Sequence, residues 1–143
     1  MTFALSDDQK AVRDLARQIF ATTCTKEALD KTEADGGFFS AAAWRALSES
    51  GLISMAVDES HGGGGLGLME QALVLRQAGQ HVAPVPVLES AMLAAPAIAQ
   101  FGPKALRDEL LAGLLSGKDI ATVALNDSGS RDPELPAVRA SAA

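Results

Sequence analysis

The segment Asp58-Glu59-Ser60-His61-Gly62-Gly63-Gly64-Gly65-Leu66-Gly67-Leu68 lies near the middle of the chain, and five of its eleven residues are glycine. Glycine has no Cβ, so such a run is either a flexible joint or a tight path laid along another backbone. The flanking sequence decides between them. Upstream, Ser40 is placed to cap a helix carrying Trp44 and Leu47, and Gly51 stands where a helix is expected to end. Downstream, Leu68 to Gln80 reads as a helix, with Leu68, Ala72 and Leu75 on one stripe widened by Leu73 and Val74. Gly79 continues that stripe, as at a close helix crossing. The short apolar run Leu52 to Val57 is compatible with a strand or with a packed connector. A glycine run held between two helices reads as a close-packed connection.

The same glycines satisfy the spacing G-x-G-x-x-G, and Glu89 follows at about the 20-residue offset of a dinucleotide site. That reading needs a strand before the glycines and a second parallel strand after the helix. Asp58 to His61 intervene on one side and a proline-broken helical region lies on the other, so the dinucleotide reading fails. No Gly-Lys-Ser/Thr follows, which excludes a P-loop.

Working outward to the N-terminus, Ser6-Asp7-Asp8-Gln9 is a capping-box signature. Val12, Leu15 and Ile19 then recur at helical spacing beside Ala16 and Phe20, giving an amphipathic helix of about four turns. Residues Thr22 to Phe39 read as irregular, with a turn at Gly36-Gly37. Toward the C-terminus, Pro84 and Pro86 break the chain. Leu88 to Phe101 is so apolar that a helix there is expected to be buried on most sides, with a kink at Pro96, which removes a donor and clashes with the Met92 carbonyl. Gly102-Pro103 places proline at the first position of a helix whose expected buried face is Leu106, Leu110 and Leu114. Gly117 ends that helix. Ile120 to Leu125 reads as a short strand for which the sequence offers no partner, and a lone strand is not stable.

The fold class that emerges is all-α: an orthogonal or up-down bundle of about five to six helices with a short β-segment near the C-terminus. The composition agrees. The chain has 143 residues, 48% of them apolar but only 4% aromatic, with no tyrosine, so alanine, leucine and valine must fill one core. A net charge of −6 without a basic stripe leaves no surface for nucleic acid. The apolar run Ala91 to Ala99 falls short of the roughly 20 residues that span a bilayer, so no membrane partner is expected. Cys24 is the single cysteine, and a reducing, cytoplasmic setting follows from the lack of disulfides.

Few residues invite chemistry. His61 and His81 have no nucleophile or paired carboxylate at a useful spacing, and Cys24 reads as a small core residue. No Cys/His set suggests a metal. Leu88 and Met92 are open to two readings, core packing or the lining of a ligand pocket. Ser128-Gly129-Ser130 is a turn able to offer backbone N–H groups to a phosphate. No catalytic acid, base or nucleophile stands out.

The order of features resembles the acyl-CoA dehydrogenase family. Leu5-Ser6-Asp7-Asp8-Gln9 is similar to the start of that family's helical domain, and Trp44-Arg45-Ala46-Leu47-Ser48-Glu49-Ser50-Gly51-Leu52 to the end of one of its helices. The glycine segment resembles the family's Pro-Glu-x-Tyr-Gly-Gly-x-Gly loop, with Asp58 and His61 at the proline and tyrosine. Val82-Ala83-Pro84-Val85-Pro86, Phe101-Gly102-Pro103 and Leu111-Ala112-Gly113-Leu114-Leu115-Ser116-Gly117-Lys118 also fall in family order. The segment Asn126 to Asp132 departs from the family's flavin motif, being shorter and without its threonine and proline.

The resemblance implies an N-terminal helical domain over 1–118, then the start of a middle β-domain over 119–143. It implies FAD as cofactor, touched by Leu125, Asn126, Gly129 and Ser130, and an acyl-CoA substrate whose acyl pocket is walled by Leu88, Glu89 and Met92. In such enzymes a glutamate takes the α-proton of the thioester while a hydride passes from the β-carbon to the flavin. That glutamate has no counterpart in this chain, so the chain is expected to be inactive alone. Apolar surface left for the missing domains implies a homo- or hetero-oligomer. The alternative is a non-catalytic helical module that binds a related subunit and has lost flavin.

Overall fold

The computed structural model describes residues 4–124 and Gly129. Six α-helices are present among them: α1 (Asp7–Thr23), α2 (Lys26–Ala34), α3 (Ala41–Glu49), α4 (Leu68–Gln80), α5 (Ala95–Phe101) and α6 (Lys104–Leu115). A 3-10 turn at Glu59–His61 and a π-helix at Val87–Ala94 complete the order. The expected all-helical bundle is the observed one. No strand occurs among the described residues. Residues 120–124 therefore depart from the expected strand, because a strand needs a ladder partner and none is described beside them.

Local signals in the sequence set most helix starts and stops. The Ser6 hydroxyl accepts the Gln9 N–H while the Gln9 side chain accepts the Ser6 N–H, both at 3.1 Å, closing the capping box on α1. Ser40 caps α3 through the Ala43 N–H. Gly51 then ends α3 at φ +74°, with the Leu52 N–H returning to the Leu47 carbonyl at 2.9 Å in a Schellman closure. α2 occupies a stretch read as irregular. Its start is set by Thr25, whose hydroxyl caps the Ala28 N–H, and no residue of α2 is buried. A helix without a buried face leaves no apolar period to detect. Pro103 is the N-cap of α6 rather than its first helical residue, a shift of one position.

Two apolar clusters form the interior. The larger joins α1, α3, α4 and the front of the π-helix through Phe20, Trp44, Leu47, Ile53, Val74 and Val87, among others. The smaller gathers Val57, Ala95, Ala99, Leu111 and Leu114 between α5 and α6. The connector 52–57 ties them, with Met55 in the first and Val57 in the second. It is a run of turns rather than a strand.

The glycine segment is laid directly on that connector. Gly64 N–H bonds to Ser54 O, Leu66 N–H to Met55 O and Gly65 N–H to Val57 O, at 2.8 to 3.2 Å. A Cβ on Gly63 would stand 2.0 Å from Val57 O and 2.4 Å from its carbonyl carbon. Only glycine passes there. The close-packed connection is the correct reading of this segment.

Several expected faces are corrected. On α1, Ala16, Ile19 and Phe20 are buried while Leu15 is exposed. On α4 the buried residues are Gln71, Leu73, Val74, Gln77 and Ala78, whereas Leu68 is 65% exposed. The packing of α4 against α1 selects that face, and it includes two glutamines that an apolar count passes over. Gln71 is fully buried, and neither atom of its amide has a partner among the described residues. Gly79 is not a close crossing, since a Cβ there would meet nothing within 4 Å. On α6, Leu111 and Leu114 are buried, Leu110 is half-buried and Leu106 is exposed.

Candidate functional site

The stretch expected to be buried on most sides is instead two-faced. Pro86 precedes the π-helix as its N-cap, and Pro96 follows it within α5. A proline at 96 cannot donate to the carbonyl one turn back. The backbone widens just before it, with Ala95 N–H reaching Ser90 O across five residues, so in place of the expected kink the chain forms a π-helix that runs into α5. Such wide turns concentrate at functional sites. Val87, Ser90, Ala91 and Ala94 face the interior. Leu88, Glu89 and Leu93 are exposed and Met92 is half-buried.

The structure thus brings Leu88, Glu89 and Met92 onto one open face and adds Leu93 to it. Leu93 went unmarked in the sequence. Its signal is the five-residue spacing from Leu88, which shares a face in a π-helix and not in an α-helix. Glu89 also borders a groove of about 340 Å³ with Phe38, Phe39, Pro84 and Pro86. Phe38 is 90% exposed, an unusual position for a large ring. The rim continues to Val82, which is exposed and holds φ +50°. Val82 occupies the C′ position of a Schellman closure on α4. Its N–H bonds to Gly79 O, and the Ala83 N–H bonds to Ala78 O. A β-branched residue in that region is strained.

Of the four residues expected at a flavin, Leu125, Asn126 and Ser130 lie outside the described residues. Gly129 is described, in a turn and exposed. The segment that leads toward them leaves α6 at Gly117 and passes a second groove. Phe101, Pro103, Leu106, Thr122 and Val123 line that groove, which is about 370 Å³ and mostly apolar.

Elsewhere the polar groups are structural. Asp58 accepts the Ser60 N–H at 2.8 Å, and the Ser60 hydroxyl, then its N–H, hold the Asp58 carboxyl below the usual range. Ser60 Oγ lies 3.2 Å from His61 Nδ1. Asp58 thus bonds to Ser60 rather than orienting the imidazole, and no base-nucleophile line forms. The His81 Nδ1–H donates to Gln77 O at 2.9 Å, and its ring sits 6.1 Å from Phe20. Cys24 is buried, and burial pushes its thiol up, away from a reactive thiolate. Among the described residues no three His, Cys, Asp or Glu side chains gather as metal ligands. No described helix is long and apolar enough to cross a membrane.

The fold and this face define a helical domain, packed on one side and open along a largely apolar π-helical wall. The pattern of the acyl-CoA dehydrogenase N-terminal domain matches residues 6–118. The acyl-CoA dehydrogenase FadE27 of Mycobacterium tuberculosis is 38% identical over 136 residues, covering 93% of this chain and 36% of that protein. Among solved structures, the Tcur3481–Tcur3483 steroid ACAD superposes with a TM-score of 0.81 at 38% identity, over 91% of this chain and 36% of that one. The ChsE4–ChsE5 complex from Mycobacterium tuberculosis gives 0.84 at 35% identity, over 92% and 36%. The chain belongs to the acyl-CoA dehydrogenase family. It spans about a third of the length of the relatives it matches.

Proposed function

We propose that this chain is the acyl-wall domain of an FAD-dependent acyl-CoA dehydrogenase, serving the α,β-dehydrogenation of an acyl-CoA thioester. Residues 1–118 form the helical domain in this reading, and 119–143 open the β-domain that follows. The observation that carries it is the open face of the π-helix. Leu88, Met92 and Leu93 turn away from the core on a helix whose other side is fully packed. An apolar wall with one polar group, here Glu89, suits an apolar ligand whose orientation is fixed by a single hydrogen bond. Leu88 and Met92 would line the acyl chain and Glu89 would accept from any hydroxyl it carries.

Of the flavin set, Gly129 lies in an exposed turn, and a glycine there lacks a Cβ to oppose a phosphate or ring edge. That fits the assigned role without building a cradle, which Leu125, Asn126 and Ser130 would have to complete. When bound, the flavin would take up the hydride from the thioester β-carbon. This domain's own part is to hold the acyl chain in place and keep water from it.

Two solved relatives are assemblies of two different chains, and one is called a steroid ACAD. At 38% and 35% identity they support a bulky, rigid acyl group of the steroid kind and a hetero-oligomeric working form. The test is an absorbance titration of the purified chain, and of any longer product of its gene, with FAD and a steroid-type acyl-CoA. The expected result is a visible flavin band in the longer product that bleaches anaerobically on adding the thioester. Absence of flavin from both forms would end the enzyme reading in favour of a helical interaction module.

A further inference from the structure

We infer that Ser90 is a positioning residue, whose buried hydroxyl pins the segment leading from α6 toward the flavin residues onto the back of the acyl-wall helix. Ser90 is 1% exposed and lies on the packed side of the π-helix, opposite Leu88, Glu89 and Met92. Its Oγ accepts the Ala121 N–H at 3.4 Å, joining positions 31 apart in the chain. Ala121 is also packed against the smaller apolar cluster. Nearer α6 the stretch is held by the Trp44 indole N–H on Gly117 O at 2.8 Å and by the Asp119 N–H on Gly113 O at 3.0 Å, neither of which reaches the π-helix. Ser90 is the anchor that crosses to the wall.

The chemistry calls for a hydroxyl at this place. The Ala121 N–H is part-buried, so an alanine at 90 removes about one net hydrogen bond and loosens the segment. Five residues beyond Ala121 the chain reaches Asn126, the second of the expected flavin contacts. With Ser90 in place, the acyl wall and the approach to Asn126 move as one unit, and a bulky acyl group that shifts the π-helix shifts that approach too. The clamp itself stands on these contacts; its consequence for the flavin rests on the function proposed above.

Backbone amide exchange on the full 143-residue chain tests the clamp without needing activity. In Ser90→Ala, the amide of Ala121 should exchange about three- to tenfold faster, the range of one net hydrogen bond. The core amides of α1 and α4 should stay within about twofold, since a hydroxyl-to-methyl exchange removes little packing. Ser90→Thr, which keeps the hydroxyl, should restore the protection. Unchanged exchange at Ala121 in Ser90→Ala would overturn the clamp. So would a uniform acceleration across α1 and α4, which marks a general stability effect, or a Ser90→Thr chain as unprotected as Ser90→Ala. A chain that passes while no form binds flavin keeps the clamp and loses the enzyme reading. A chain that fails while the longer product is yellow loses the clamp alone.

Discussion

The glycine loop at 58–67 and the π-helix at 87–94 both place small residues at their tightest contacts, and they use them in opposite ways. In the loop, absent side chains let one backbone lie on another, and Gly63 approaches Val57 more closely than any Cβ allows. In the π-helix, Ser90, Ala91 and Ala94 turn inward so that the wall packs tightly from behind, while Leu88, Glu89 and Leu93 are left to solvent. The loop is pinned along one side by backbone contacts while most of its residues stay exposed, and the π-helix is packed from behind by its small side chains. Small residues therefore mark close packing in both places, and the candidate face is marked by the large residues that packing leaves over.

Substitution at Gly63 gives the largest effect this contrast predicts. Gly63→Ala should cost about 3 kcal/mol, because the clash is with backbone that has no room to yield. Leu88→Ala on the open face should change stability by no more than about 0.5 kcal/mol. Urea unfolding followed by circular dichroism compares the two directly. A Gly63→Ala chain as stable as wild type would remove the distinction between the regions.

A smaller effect, of opposite sign, is expected at Val82. Two other helices close the same way with glycine at the equivalent position, Gly51 after α3 and Gly117 after α6, both at positive φ. Val82→Gly should gain about 1 kcal/mol by relieving left-handed strain. An unchanged or lowered melting temperature would mean that the valine side chain contributes more at the groove rim than its backbone loses.

The smallest effect lies at the loop's far end and is read by pH. The Gln9 side-chain amide donates to Glu70 at 3.0 Å. With help from Glu70's own N–H and that of Gly67, it holds the Glu70 carboxyl below the usual range. A carboxyl depressed in the folded state stabilises above its unfolded pKa, and that contribution is lost as pH falls through the folded value. Acidification through and below the ordinary glutamate range should therefore lose a few tenths of a kcal/mol after solvent screening. Glu70→Gln should show a correspondingly flatter curve over that range.

Legibility in the sequence followed the range of the interaction. The capping box at Ser6 and Gln9, the caps at Ser40 and Gly51 and the stop at Gly117 were readable because each is satisfied within a few residues. The family order was readable because many weak local signals fell in sequence along nearly the whole chain. α2 was not readable, since a helix with no buried face has no apolar period. The stripe assigned to Leu68, Ala72 and Leu75 was misplaced, because α1 buries the face carrying Gln71 and Gln77. For the candidate site, Leu88, Glu89 and Met92 could be named through the resemblance, but the composition of 88–101 predicted burial for all of them.

By itself the sequence determined where most of the packed helices begin and end, that the chain is helical, and that its glycine run is a connection rather than a phosphate loop. Tertiary structure alone decided which face of each helix is inside, that Pro96 is met by a π-helix, and that Ser90 reaches Ala121. Caps and turns close within one turn of chain, so their donors and acceptors are written side by side. Faces and clamps depend on partners tens of residues away, and no local pattern specifies which of two apolar sides will be covered.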